Sequence, residues 1–319
     1  MIPWTPHPYQ KQAVKWFITH PEAALFLEPG LGKTSIALEA LRHLHKAGGV
    51  RKALVIAPLR VCYMVWSHNG GELAKWNNFK DFSVALLHGP HKEKALRQDA
   101  DLYVINPDGL AWLCAEGRMA SLIKRGVDVL VIDELSKFKH LRTKRARLLK
   151  PWLGRFKRRW GLTGSPAPNG LLDVFGQVYM CDLGRSLGQY FTAFRHEFFV
   201  PGGYGGYEWR PQKDAETRIQ KRLSKVALAM RAIEHLDLPA LIELPIYVQL
   251  PKKVRVVYRA LEEELFAELS SGDVTAANAA VASGKCRQVA GGAVYHEALG
   301  KRTVTQLHTE KLEALVDLA

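Results

Sequence analysis

Along the first half of the chain, short runs of unbroken apolar residues alternate with segments in which apolar positions recur every three or four residues. The runs lie at residues 23–27, 53–57, 84–88, 102–105 and 127–132, with a weaker one at 160–163. Between the first two, Lys33–Lys46 sets Ile36, Ala37, Leu41 and Leu44 on one helical face. Strands that are apolar on both faces and separated by amphipathic helices predict an α/β fold, a parallel sheet covered by helices on both sides. Right-handed crossovers then bring every strand's C-terminal end to one edge, where open α/β sheets bind ligands.

The pattern changes after residue 172. Residues 171–199 read as helical and rich in aromatics, and Pro201-Gly202-Gly203-Tyr204-Gly205-Gly206-Tyr207 reads as a loop or hairpin. Helical periodicity is predicted over 215–236, 252–270 and 274–289, with a strand at 243–250 bracketed by Pro239, Pro245 and Pro251. The expected organisation is an α/β lobe over 1–172, a mainly helical part over 173–300 and a terminal helix within 301–319. That helix ends on Leu315-Val316-Asp317-Leu318-Ala319 with no stop signal, which predicts that more chain follows.

Composition narrows the partners. The chain has 319 residues, 47% hydrophobic and 24% charged, which is globular usage and excludes a wholly disordered protein. Lys and Arg number 45 against 31 Asp and Glu, a net charge of +14 that favours a polyanion such as nucleic acid. The N-terminus lacks the basic and apolar regions of a secretory signal, and no apolar run approaches the roughly 18 residues of a membrane helix. Cys62, Cys114, Cys181 and Cys286 are scattered, which predicts free thiols in a reducing, cytoplasmic setting. His88 and His91 are the nearest approach to a metal pattern and fall short of one.

Two motifs sit at strand ends. Leu27-Glu28-Pro29-Gly30-Leu31-Gly32-Lys33-Thr34 joins the first strand to the first amphipathic helix. Glycines there let backbone N–H groups curl around phosphate beside a helix N-terminus, with Gly30, Leu31, Gly32, Lys33, Thr34 and Ser35 as the binding set. Lys33 would reach the β- and γ-phosphates of ATP, and Thr34 would offer its hydroxyl to Mg2+. Leu27 replaces the first glycine of the strict P-loop. About a hundred residues on, Val129-Leu130-Val131-Ile132 ends in Asp133 and Glu134. Asp133 would face Mg2+, and Glu134 would activate the attacking water. These two motifs alone also fit a metabolite kinase.

The third motif separates the readings. Leu162-Thr163-Gly164-Ser165-Pro166-Ala167-Pro168-Asn169 follows the next strand. With it, the chain resembles the first RecA-like lobe of superfamily 2 helicases, most of all the SWI/SNF-type double-stranded DNA translocases in their compact phage and prokaryotic versions. Motif I matches at 29–34, motif II at Asp133-Glu134-Leu135-Ser136, and motif III at 162–169 with Ser165 for Thr. Tyr9-Gln10 resembles the glutamine motif, which implies that Gln10 reads adenine. Ala57-Pro58-Leu59-Arg60 resembles motif Ia, and residues 104–108 the strand-end motif after it. The resemblance implies DNA-backbone contacts by Arg60 and Asn106, and coupling of nucleotide state through Thr163, Ser165 and Ser136. Looser similarity continues through Arg287-Gln288-Val289 and Lys311.

From Lys137 to Arg159 there are eleven Lys or Arg and no acidic residue. Leu148, Leu149, Trp152, Leu153 and Phe156 interleave at helical spacing, giving one core face and one basic face. The basic face reads either as solvated or as a phosphate contact made by Lys137, Lys139 and Arg142. Tyr204, Tyr207 and Trp209 are candidates for base stacking or for local packing. Ser136 stands where many relatives carry His, and no Gln-x-x-Gly-Arg-x-x-Arg stretch occurs. The family's arginine finger comes from a second RecA-like lobe, so the resemblance implies half of an ATPase site. The expected protein is a monomeric ATP-binding lobe of a DNA-dependent ATPase that favours duplex DNA. Alone it hydrolyses weakly, and it needs a second lobe in cis or in trans. The alternative is a nucleic-acid-binding module that uses nucleotide as a switch without turnover.

Overall fold

The computed structural model describes residues 2–67, 70–202, 208–236, 243–271, 276–298 and 301–318. Its strands are β1 (Glu22–Leu27), β2 (Lys52–Ile56), β3 (Val84–Leu86), β4 (Leu102–Ile105), β5 (Val127–Asp133), β6 (Arg158–Thr163), β7 (Phe199–Gly202), β8 (Glu208–Pro211), β9 (Ala227–Met230), β10 (Ala293–Ala298) and β11 (Lys301–Gln306). The helices are α1 (Pro8–Thr19), α2 (Lys33–Lys46), α3 (Leu59–Met64), α4 (Glu72–Lys75), α5 (Lys92–Arg97), α6 (Leu110–Leu113), α7 (Arg118–Lys124), α8 (Lys144–Leu149), α9 (Val174–Asp182), α10 (Phe191–Phe198), α11 (Ala215–Leu223), α12 (Lys252–Ser271), α13 (Ala276–Gly291) and α14 (Glu310–Val316).

Seven strands make one sheet in the order β3-β4-β2-β5-β6-β1-β9, parallel at every pairing, as the alternating apolar pattern predicts. Both faces are covered, which is why the central strands carry no polar alternation. Ala23, Leu25 and Leu27 of β1 and Val129 and Val131 of β5 face a core built with Phe17 of α1 and Ile36 and Leu41 of α2. Ala24, Phe26, Leu130 and Ile132 face the opposite core, with Phe175 and Val178 of α9 and Phe194 and Phe198 of α10. Each such side chain contributes about 1.5–3 kcal/mol of burial.

Chain order and space order part at β1. The sheet does not stop there: Ala24 to Leu27 pair in parallel with Ala227 to Met230. The helix expected over 215–236 therefore ends at Leu223, and Val226 and Met230 are drawn into the two cores. Leaving β1 at an edge would strand a row of buried N–H and C=O groups, a larger penalty than losing the last 13 residues of the expected helix. The chain divides into compact units Met1–Leu238 and Pro239–Ala319.

Other expectations need smaller corrections. The helical stretch 171–199 is two helices, broken where Leu183 and Gly184 adopt left-handed backbone. Helical spacing through the basic segment gives way after α8 to 3-10 turns over Lys150–Arg155, where Pro151 removes a helical hydrogen bond. The turn-rich stretch is flanked by the antiparallel hairpin β7–β8; Tyr204 and Tyr207 lie outside the described residues. Trp209 packs locally, under the Arg195 guanidinium at 4.0 Å. Residues 243–250 form no regular strand. In the second unit α12 packs on α13, and β10 pairs antiparallel with β11. Residues 301–306 are thus strand and not linker helix. All four cysteines are free, and burial pushes the Cys62 thiol up to about 12 and Cys114 to about 11. No helix among the described residues is long and apolar enough to cross a membrane.

α9 lies so close to the segment after β5 that a Cβ on Gly176 would fall on the Lys139 carbonyl, with the Phe138 oxygen at 2.7 Å. Both neighbours are backbone and cannot swing aside. Gly176→Ala is expected to cost about 1–3 kcal/mol. Gly154→Ala, with nothing within 4 Å, should stay within about 0.5 kcal/mol in the same thermal and urea melts.

Candidate active site

Because the sheet is parallel, the loops after β5, β6 and β1 leave from neighbouring positions on one edge. They carry Asp133-Glu134, Thr163-Gly164-Ser165 and the glycine loop, in that spatial order. Contact between the last two is direct: a Cβ on Gly164 would lie 3.1 Å from Pro29 Cδ.

The glycine loop turns on Gly30 (φ +88°) and Gly32 (φ +76°) and feeds straight into α2. The first turn of α2 has no acidic residue and no side-chain cap, so its N–H groups face the loop without an internal anion. Lys33 curls back, its Nζ donating to the carbonyls of Leu27 at 2.8 Å and Glu28 at 3.3 Å. Burial lowers the Lys33 pKa, while the charges of Glu134 and Asp133 oppose that fall, which places the ammonium within electrostatic reach of both carboxylates. Thr34 is half-buried beside it.

Asp133 is the tightest point. Its carboxyl is 6% exposed, accepting from the Trp66 indole N–H at 2.8 Å and the Glu134 backbone N–H at 3.1 Å. Burial raises its pKa, and the indole hydrogen bond is the largest influence pulling it back. Glu134 adopts left-handed backbone (φ 59°, ψ 58°), a conformation costing roughly 1–3 kcal/mol that clusters at functional sites. The donor types fit a hard divalent cation: a deep carboxylate at the end of β5 and the Thr34 hydroxyl on the first turn of α2. Among the described residues no three His, Cys, Asp or Glu side chains converge as an all-protein metal cage.

Several expected residues are placed differently. Gln10 is buried and braces the glycine loop, its amide donating to the Leu31 carbonyl at 3.2 Å and accepting from His7 N at 3.0 Å. Leu31 is fully buried, an anchor for the loop. The Ser35 hydroxyl is turned away from the loop and donates to Glu72. Thr163 is fully buried, its Oγ1 accepting from Ser165 N at 3.3 Å, and Ser165 is exposed. Among the described residues no hydrogen bond joins Ser136 to either of them.

The expected nucleic-acid contacts divide. Arg60 on the first turn of α3, Lys137 and Arg142 are exposed. Lys139 is half-buried and bonded to Asp173 at 3.0 Å. Asn106, expected at a DNA backbone, is 7% exposed, and its Oδ1 is buried with no partner among the described residues.

Residues absent from the motifs complete the arrangement. Trp66 holds Asp133, Glu72 holds Ser35, and Glu28 accepts from Ala232 N at 2.7 Å. Asp173 accepts from both Lys139 Nζ and Asn169 N, joining the segments after β5 and β6. Apart from Asn169, four residues from Asp173, their partners stand between 34 and 204 residues away, so no local spacing pointed to them.

Comparison with known proteins gives the family and the fold. A family model described as the SNF2-related domain matches residues 9–291. Protein p41 of Acyrthosiphon pisum secondary endosymbiont phage 1 is 33% identical over 336 aligned residues, covering 99% of this chain and 69% of that protein. Among solved structures, the Sulfolobus solfataricus SWI2/SNF2 ATPase core in complex with dsDNA matches with a TM-score of 0.59 at 23% identity, over 90% of this chain and 58% of its own. The Sulfolobus solfataricus SWI2/SNF2 ATPase core domain gives 0.54 at 22% identity, over 90% and 57%. The chain thus spans less than two thirds of the length of those solved cores.

A Cβ on Gly32 would lie 2.6 Å from Gln10 Nε2, at a φ that side chains rarely adopt. Gly32→Ala should therefore destabilise the chain by about 1–3 kcal/mol. Adding Gln10→Ala should remove the steric part, and denaturant titrations of the double-mutant cycle should give a coupling of at least about 0.5 kcal/mol.

Proposed function

The chain belongs to the SNF2-related domain family, and on that footing we propose that it is the ATP-binding lobe of a DNA-dependent ATPase. In this reading it is a double-stranded DNA translocase that couples ATP hydrolysis to movement along the duplex. The observation that carries the reading is the convergence of Lys33 with Asp133 and Glu134 at the ends of β1 and β5, which flank β6 in one parallel sheet.

The site works on a triphosphate as follows. Gly30, Leu31, Gly32 and the first turn of α2 surround the phosphates with N–H donors. Lys33 gives up its two carbonyl partners and neutralises charge on the β- and γ-phosphates. Thr34 and Asp133 would hold Mg2+, which supplies electrostatic stabilisation of the transferring phosphoryl group. Glu134 orients the attacking water and accepts its proton, so the base is a residue already turned out of the strand by its left-handed backbone. Gln10 serves the nucleotide by fixing the loop, and adenine recognition falls to whatever donor capacity its amide retains. Thr163, Ser165 and Ser136 are assigned to coupling, with Asp173 as the fixed point between their loops.

Phosphate contact with duplex DNA is assigned to Arg60, Lys137 and Arg142, the exposed members of the expected set. The described dsDNA complex of the Sulfolobus protein supports that class of partner. Turnover needs an arginine finger from a second RecA-like lobe, in cis or in trans. Residues 173–300 are read as the family insertion and 301–319 as the approach to that lobe. The chain acts as a monomer in the cytoplasm, the host's if a phage encodes it.

Steady-state ATP hydrolysis and nucleotide binding, with and without duplex DNA, test the reading. Lys33→Ala is expected to abolish magnesium-dependent nucleotide binding, and Glu134→Gln to keep binding while removing turnover. Hydrolysis by the chain alone should fall short of a completed site by about three to five powers of ten. Magnesium-dependent binding that never leads to turnover, even with a second lobe supplied, would establish the switch reading instead. Failure to bind nucleotide at all overturns both.

Duplex affinity should fall about 40-fold between 50 and 200 mM salt if three phosphates are engaged. Arg142→Ala should reduce the salt slope by about one, measured by fluorescence anisotropy.

A further inference from the structure

The segment between β5 and α8, together with α9 and α10, encloses a cavity of about 350 Å³ that none of the three nucleotide motifs lines. Ligand pockets begin at roughly 300 Å³. Leu141, Phe175 and Phe191 make its apolar wall, the two rings meeting edge to face at 5.5 Å. Phe175 is buried there, whereas Phe191 is 37% exposed. The charge around the cavity is of one sign: Lys139, Arg142 and Arg195 line it, and no Asp or Glu does.

Those cations differ in what they hold. Lys139 is paired with Asp173 at 3.0 Å. Arg142 and Arg195 have no ion pair or side-chain hydrogen bond among the described residues. Arg195 Nε is a buried donor without an acceptor, a state that folded chains rarely keep. Its guanidinium is nevertheless positioned, 4.0 Å from the Trp209 ring and 5.8 Å from that of Phe191. A guanidinium set against rings loses little further freedom when an oxyanion arrives.

The cavity therefore makes two demands, an apolar group to displace water from its wall and oxyanions for two unpaired guanidiniums. Duplex DNA meets only the second, because its bases are stacked inside the helix and its backbone offers phosphate and sugar. A peptide with one large apolar side chain between carboxylates meets both. We propose that this cavity docks an acidic segment of a partner protein, with an aromatic or large aliphatic anchor against Leu141, Phe175 and Phe191 and flanking carboxylates on Arg142 and Arg195. The docking site stands apart from the nucleotide site. It shares Arg142 with the assigned duplex contacts, so a partner seated here takes one of them from DNA.

The full chain is titrated against a fluorescein-labelled heptapeptide, Glu-Asp-Glu-Phe-Leu-Asp-Glu, and binding is read by anisotropy. A second probe with Ala for both Phe and Leu has the same charge and should bind at least about tenfold more weakly. Arg195→Ala and Phe191→Ala should each weaken the first probe by about tenfold. Thr192→Glu, at an exposed position on the cavity wall, should do the same by adding a carboxylate, and it decides the matter if the other two do not fold. Lys225→Ala removes an exposed charge away from this cavity and should change affinity by less than about twofold. Equal affinity for the two probes overturns the proposal, because attraction between net charges then suffices. So do folded variants that bind the first probe as the wild type does. A labelled single-stranded oligonucleotide that loses tenfold in Phe191→Ala and Thr192→Glu, while the peptide loses nothing, makes the cavity a site for an unstacked base and also overturns it.

Discussion

The arrangement depends on satisfying one carboxyl group. Asp133 ends a strand buried along its whole length, where an ionised side chain without partners would cost several kcal/mol. Two N–H donors and the nearby Lys33 ammonium meet that demand. Each of the three enters from a different direction: an indole from beyond α3, a backbone amide from the turn itself, and a cation from across β6. The loops are therefore held in mutual register by the needs of one acidic group.

Much of this was legible in the residues. Unbroken apolar runs can be buried only between two layers of helices, so the parallel sheet and its ligand edge followed from pattern alone. The glycine loop, Asp133-Glu134 and the Thr163 turn could be placed at strand ends because their chemistry is local. What could not be read was long-range pairing. Residues 226–230 carry Val, Ala, Leu, Ala and Met, a composition equally at home in a helix, and only the open side of β1 decides for strand. Trp66 and Glu72 are ordinary core and surface residues in sequence, and their roles exist only once β2 and β5 lie side by side. Gln10 and Ser35 carry polar groups whose partners in the fold, the Leu31 carbonyl and the Glu72 carboxylate, lie 21 and 37 residues away and could not be read from local spacing.

Net charge taught a similar lesson. The run from Lys137 to Arg159 looks uniform in sequence, but its members do different work. Arg159 is buried and donates to the carbonyls of Cys181, Leu153 and Phe156, and Arg158 donates to those of Phe17 and Ile18. Lys157 pairs with Asp128 at 3.2 Å. Guanidinium groups are used there as struts for backbone carbonyls, while Lys137, Arg142, Arg155 and Lys157 keep their charges exposed.

The late arrival of β9 also bears on how the chain is made. β1 is synthesised before every other strand of its sheet, yet one of its two neighbours is the last of them to leave the ribosome. Until then β1 presents an apolar strand with one unpaired backbone edge, the geometry that templates aggregation. The non-local pairing also closes a long loop, the slow kind of step in folding. Nascent chains paused before residue 230 are thus the most exposed species in the life of this protein, and chaperone demand should concentrate there.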